Sequence, residues 1–406
     1  MNKSVVSIKK ITRTHTFLNR FGFTVLVFFL IITDTGCGGS NGKSERKNTS
    51  ENDLDTAILE QMDAAGLPGA IVYAIKDSQV VFSKGYGYAN IDEGRPVTNE
   101  TIFQVASVSK LVTATALMLL HEQGEFGLDD DVNAYLPFNV RNPNYPDEII
   151  TFRMLLTHTS SIFDADAYED TYVFGDPDEA LGDFLTEYFA SNGALYNAET
   201  NFTEQRPGEG FQYSNIAFGL IGFLVERIAD LPFDQFCQQQ IFNPLGMDST
   251  HWYHQDVDQS RWASPYSFNG QSYTSIGSYS FSTFPDGALK TTAADFARFL
   301  APFINGGNTV DGQPFLNSGT VTEMLTVQNP EIEPPVGLAW SVGLENALYE
   351  HTGGDPGIFS LVQVLPGKRF ARIVFTNGDG DNNVRALSRF FENIELRVLE
   401  ALGVEI

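Results

Sequence analysis

From Ser107 to Gly124 the chain reads Ser-Val-Ser-Lys-Leu-Val-Thr-Ala-Thr-Ala-Leu-Met-Leu-Leu-His-Glu-Gln-Gly, and this run constrains the fold more than any other. Val108, Leu111, Val112, Ala114, Ala116, Leu117, Met118, Leu119 and Leu120 leave no broad polar face on a helical wheel. Such a helix is stable in water only when other elements surround it, so it belongs in the middle of a domain. Gly124 is a suitable left-handed stop for it. A chain of 406 residues is long enough to build that surround, as one large domain or as two lobes.

The flanking pattern says what the surround is. A helix with Leu54, Ile58, Leu59 and Met62 on one face stops at Gly66-Leu67-Pro68-Gly69, and Ala70 to Ile75 and Gln79 to Tyr88 then read as strands joined by a tight turn at Asp77-Ser78. The far end mirrors this. Leu338 to Leu344, Ser360 to Leu365 and Ala371 to Thr376 read as strands, and Val384, Leu387, Phe391, Ile394, Val398 and Leu402 mark a last helix that leaves no room for an appended domain. Helices are predicted near residues 151–157, 215–229, 233–241, 292–304 and 318–326. The expected class is α/β of the α+β type: an antiparallel sheet built from both termini, flanked by helices, with an inserted, mostly helical lobe. The predicted division is an export signal at 1–36, a tether at 37–53 and a catalytic domain at 54–403, with a sheet lobe (54–105 and 335–403) and a helical lobe (106–334).

Three short strings carry chemistry. Ser-x-x-Lys occurs four times, at Ser7, Ser40, Ser44 and Ser107, but only Ser107 heads a buried helix. There the free N–H groups and the helix dipole favour negative charge, as on a developing oxyanion. Lys110 shares its face one turn later, and an ammonium at the edge of an apolar core is disfavoured, which suits a base toward Ser107. Tyr213-Ser214-Asn215 lies where a loop enters a helix, so Tyr213 can exchange a proton and Asn215 can bridge Lys110 and a substrate carbonyl. His351-Thr352-Gly353-Gly354 precedes a strand, where glycines let the backbone approach a substrate, and the N–H groups of Ser107 and Gly354 form a candidate oxyanion hole. Each string alone also has a structural explanation: a cap, a snorkelling lysine, a half-buried aromatic, a turn.

Taken together and in this order, the strings resemble the serine β-lactamase and penicillin-binding-protein superfamily, and most of all its class C β-lactamase-related group, which includes esterases, DD-peptidases and D-aminopeptidases. Gly66-Leu67-Pro68-Gly69, Leu155-Leu156-Thr157-His158-Thr159-Ser160, Pro207-Gly208 and Asn243-Pro244-Leu245-Gly246-Met247 support the likeness over roughly residues 54 to 403. The resemblance implies Ser107 as acylated nucleophile, Lys110 and Tyr213 as the acid/base pair, and Asn215, His351, Thr352 and Gly353 as substrate-binding residues. The sequence departs at His351, where penicillin-hydrolysing members carry lysine; a histidine, mostly neutral at pH 7, attracts a substrate carboxylate weakly. Nine acids and no base between residues 164 and 187 would add to this if they border the cleft. His158 is taken as structural.

Residues 1–22 carry five bases and no acid, an apolar run follows from Phe23 to Ile32, and Gly36-Cys37 comes next. This resembles a bacterial lipoprotein signal with Cys37 lipidated, although Asp34 departs from that pattern. The expected location is therefore the periplasm or cell envelope. Net charge is −26, and the part after residue 36 carries −30, which excludes nucleic acid as a natural partner. The other cysteine, Cys237, has no partner for a disulfide and reads as a small buried hydrophobe. No metal or cofactor is expected: His121-Glu122 lacks a second histidine, and Asp379 to Asn383 lacks the glycine and glutamate of a calcium loop. The resulting expectation is an exported serine hydrolase acting on a small-molecule or peptide ester or amide. The alternatives are a peptidoglycan DD-peptidase or weak β-lactamase, and a lipid-tethered binding protein without turnover.

Overall fold

The computed structural model describes residues 51–343, 347–380 and 383–402. The export signal, Cys37, nearly all of the tether, Leu344 and Asp381-Asn382 fall outside them. The organising element is a seven-stranded antiparallel sheet. Its strands are β1 (Gly69–Lys76), β2 (Gln79–Asn90), β3 (Arg95–Pro96), β4 (Ser341–Gly343), β5 (Leu348–Asp355), β6 (Ile358–Leu365) and β7 (Phe370–Thr376), in the order β4-β5-β6-β7-β1-β2-β3. The two termini meet where β1 pairs with β7 from Ala70↔Thr376 to Lys76↔Phe370. The β1–β2 turn has positive φ at both Asp77 (50°) and Ser78 (64°), the backbone that matches a hairpin's twist.

Both faces of the sheet are covered, which explains why β7 is buried along its whole length and shows no polar alternation. On one face Val72, Ala74 and Val374 pack with Ile58 and Met62 of α1 (Glu51–Ala65), and with Phe390, Phe391, Ile394 and Val398 of the last helix (Val384–Ala401). On the other, Ile71, Tyr73, Ile373 and Phe375 join the main core, which continues through α2 (Ser109–Glu122). Every residue of α2 from Ser109 to Leu120 is buried, as its all-round apolar pattern requires. Beside it lies α3 (Asn215–Ala229), buried from Asn215 to Val225.

The other expected helices appear as Phe152–Leu156, Phe233–Cys237 continued by a π-turn, Ala293–Ile304 and Ser318–Leu325. In the second half the strands expected at Ser360–Leu365 and Ala371–Thr376 appear as β6 and β7, while the one expected from Leu338 differs. Leu338, Ala339 and Trp340 are buried but irregular, with Ala339 at φ 67°, and only Ser341–Gly343 is strand. The string beginning at His351 precedes a strand, β6, as expected, but also lies inside another, β5, that was not expected. Its polar residues and paired glycines erase the apolar alternation by which a strand is recognised. β4 pairs with Leu348 to Glu350, and among the described residues no strand pairs with the outer side of β5 from His351 to Gly354. Leu181–Phe189 is a further helix that the acidic composition of this region had hidden.

Candidate active site

Ser107 lies in a short 3-10 turn, Ala106–Val108, that leads into α2. Ala106 takes φ 46°, a left-handed backbone that costs an alanine roughly 1–2 kcal/mol and persists only when neighbours hold it. Two hydroxyls do so. Ser109 Oγ donates to Ala106 O at 2.6 Å and accepts from Leu289 N–H at 3.1 Å, and Ser360 Oγ on β6 donates to Val105 O at 2.6 Å. The Ser107 turn is thus tied to the sheet on one side and to the segment preceding Lys290 on the other.

Lys110, fully buried, places Nζ 3.0 Å from Ser107 Oγ, 2.7 Å from Asn215 Oδ1 and 2.7 Å from the backbone oxygen of Asp286. A neutral amine has two hydrogens and one lone pair. The three oxygens match the three hydrogens of an ammonium; in the amine form Asn215 Oδ1 and Asp286 O, which can only accept, would take both hydrogens and leave the lone pair for the Ser107 hydroxyl. The ring of Tyr213 completes this side, its centroid 5.1 Å from Nζ.

Tyr213 and Asn215 are held from behind. His158 stacks on the Tyr213 ring at 4.3 Å, and its Nδ1 accepts the Ser214 N–H at 3.1 Å. Burial, with Lys110 and His351 nearby, keeps His158 neutral well below the usual histidine range, in keeping with a structural role. Asp164 accepts from Ser214 Oγ (2.8 Å), Asn215 N–H (2.8 Å) and Ile216 N–H (3.0 Å), which fixes the start of α3. Of the nine acids between residues 164 and 187, Asp164 is thus occupied by hydrogen-bond donors. Asp176 and Glu179 are likewise occupied, with the backbone N–H groups of His254 and Gln255 and with Ser282 Oγ.

The third string closes the site from β5. His351 is buried, and its Nδ1 lies 2.6 Å from Thr352 O, so Nδ1 carries the hydrogen and Nε2 the lone pair. Burial and then the charge of Lys110 lower its pKa to about 4. Thr352 is half-buried beside it. Gly353 packs directly on the Ser107 turn: a Cβ there would sit 2.3 Å from Ser360 Oγ, 2.4 Å from Val105 O and 3.1 Å from Ser107 N. Gly354 faces open space. Gly353→Ala is therefore expected to push β5 off the turn and slow covalent labelling of Ser107 by at least about tenfold, the scale of an ångström-sized misplacement. Labelling at the wild-type rate would show that this contact can relax.

Residues 54–393 match the family model described as Beta-lactamase, and the chain belongs to that family, within the serine β-lactamase and penicillin-binding-protein superfamily. It is 24% identical over 331 residues to Protein flp of Staphylococcus aureus strain MW2, a match covering 81% of this chain and 64% of that protein, so the chain spans less than two thirds of this relative's length. Among solved structures, the penicillin-binding protein homologue from Pyrococcus abyssi aligns with TM-score 0.67 and 23% identity, over 87% of this chain and 78% of that one. The D-amino acid amidase from Ochrobactrum anthropi SV3 aligns with TM-score 0.67 and 22% identity, over 86% and 99%. The chain is accordingly a β-lactamase-fold member of a hydrolase family.

Reading the strings had brought forward Ser107, Lys110, Tyr213, Asn215, His351, Thr352, Gly353 and Gly354, and these line one region around Lys110 and the Ser107 turn. It missed Asp286, whose only local signal is an Asp-Gly pair that marks a turn.

Proposed function

We propose that the protein is an exported serine hydrolase that opens an ester or amide through an acyl-enzyme on Ser107. The observation that carries this reading is the set of three oxygens around Lys110 Nζ, which in the amine form leaves the lone pair for the Ser107 hydroxyl. In the proposed reaction Lys110 takes the Ser107 proton as Oγ attacks the substrate carbonyl carbon. The resulting oxyanion is received by the N–H groups of Ser107 and Gly354. Tyr213, whose ring lies beside Lys110, gives its phenol proton to the departing alcohol or amine; water then attacks the ester carbon and passes its proton to the Tyr213 phenolate, while Lys110 returns its proton to the Ser107 oxygen as the acyl bond breaks.

The neutral His351 favours substrates without a carboxylate at that position: simple esters and, given the fold shared with an amidase, D-amino acid amides. Screening p-nitrophenyl esters, D-amino acid amides and nitrocefin, alongside fluorophosphonate labelling of wild type and Ser107→Ala, tests the reading. Absence of labelling in the wild type would favour a binding protein without turnover.

Export rests on the basic leader, the apolar run and Gly36-Cys37. Wild type is expected in the detergent phase on partitioning and Cys37→Ser in the aqueous phase. Equal release of both into the aqueous phase would remove the lipid anchor from the proposal.

A further inference from the structure

Lys110 is one buried cation facing two buried carboxyls, and the two are not equivalent. Asp164 accepts three hydrogen bonds, two of them from the first N–H groups of α3, where the helix dipole also favours its charge. Asp286 is almost wholly buried, yet its carboxyl accepts only one: Tyr168 OH to Oδ1 at 3.1 Å. The same Oδ1 lies 3.9 Å from Lys110 Nζ. Oδ2 has no hydrogen-bond partner among the described residues, and the neighbouring Thr283 hydroxyl completes no bond to it.

A single ammonium balances one buried carboxylate, and a second one short of donors is disfavoured. Of the two, Asp286 is therefore the carboxyl that takes up a proton first as the pH falls, and it faces Lys110 as a carboxylate above that point. Burial raises its pKa to about 7, with Lys110 opposing and Asp164 adding to the rise. The other titratable groups facing it, Tyr168 and Tyr172, are held well above the usual tyrosine range by burial and stay neutral.

We infer that Asp286 is a positioning residue with two separate actions on Lys110: its backbone oxygen fixes where the amine sits, and its carboxyl governs how readily the amine gives up its proton. The inference rests on the acyl-enzyme reading above. The Asp286 carboxyl lies 3.9 Å from Lys110 Nζ, close enough for its charge to act on the amine. A carboxylate beside Nζ favours the ammonium, which cannot accept the Ser107 proton, so losing that negative charge lets the amine form persist to lower pH.

Asp286→Asn keeps the backbone oxygen and the side-chain shape but removes the charge. The rate of fluorophosphonate acylation is measured from about pH 5 to 9 for wild type, Asp286→Asn, Tyr168→Phe and Ser107→Ala. The acid limb is expected to move down by about one pH unit in Asp286→Asn. Tyr168→Phe, which removes the one donor to the carboxylate, should move it the same way by less. A merely structural Asp286 would lower the amplitude and leave the limb in place, and that result, or an upward movement, overturns the inference. If Asp286→Asn does not fold, an unmoved limb in Tyr168→Phe does the same. Labelling that survives in Ser107→Ala overturns the acyl-enzyme reading instead, so the two failures are distinct.

Discussion

Ser107→Ala is expected to abolish fluorophosphonate labelling and to lower kcat by several orders of magnitude, about 10⁶-fold where nucleophile and base act as one unit. No nearby group can take over. Ser109 Oγ, the neighbouring hydroxyl, is buried and engaged with Ala106 O and Leu289 N–H. Lys110→Ala is expected to cost nearly as much, because it removes the base and leaves Asn215 Oδ1 and Asp286 O, both turned toward Nζ, without their donor. The double variant should be barely worse than either single one, since both residues serve one proton transfer. Stopped-flow kinetics with a p-nitrophenyl ester, with folding checked by circular dichroism, supply the measurement. Full turnover in folded Ser107→Ala would end the mechanism, and additive losses in the double variant would mean that Lys110 acts on something other than Ser107.

What was legible before the structure follows a physical divide. The position of α2 could be read because every face of it is apolar, and burial is the only stable outcome for such a helix. The sheet could be read because hairpins at both ends are local, and the β1–β2 turn keeps both its φ-positive residues within two positions. Of the partners of Lys110, Asn215 was read from its own short string, whereas Asp286 was not. Asn215 is 105 residues away and Asp286 is 176 residues away, and nothing in a turn such as Phe284-Pro285-Asp286-Gly287 announces that its carbonyl will meet a lysine. Asp164 shows the converse failure. In sequence it is one acid among nine, and its role at the start of α3 exists only once the chain has brought residues 164 and 214–216 together. β5 was hidden because the glycines that let it approach the Ser107 turn are the residues that weaken a strand pattern.

The choice of substrate turns on the third string. His351 in its observed state offers no positive charge and no free hydrogen: Nδ1–H is spent on Thr352 O, and Nε2 presents a lone pair. An unperturbed histidine begins to gain charge near pH 6.5, but here burial and Lys110 hold the ring neutral down to about 4. Between pH 8 and 5, therefore, the ratio of kcat/KM for nitrocefin to that for a neutral aryl ester is expected to stay flat, since any acid limb from the shared base cancels in the ratio. His351→Lys would place an ammonium on β5 beside its outer edge, which no other described strand covers from His351 to Gly354. A charge-assisted contact to a carboxylate is worth roughly 1.5–3 kcal/mol, so kcat/KM for nitrocefin should rise by about one to two factors of ten, while the neutral ester changes far less. The acidic segment does not screen this gain fully, because Asp164, Asp176 and Glu179 are turned to hydrogen-bond donors of their own. A wild-type enzyme whose nitrocefin ratio climbs on acidification would show that His351 does take up a proton in the cleft, and equal gains for both substrates in His351→Lys would show that charge at this position does not set the preference.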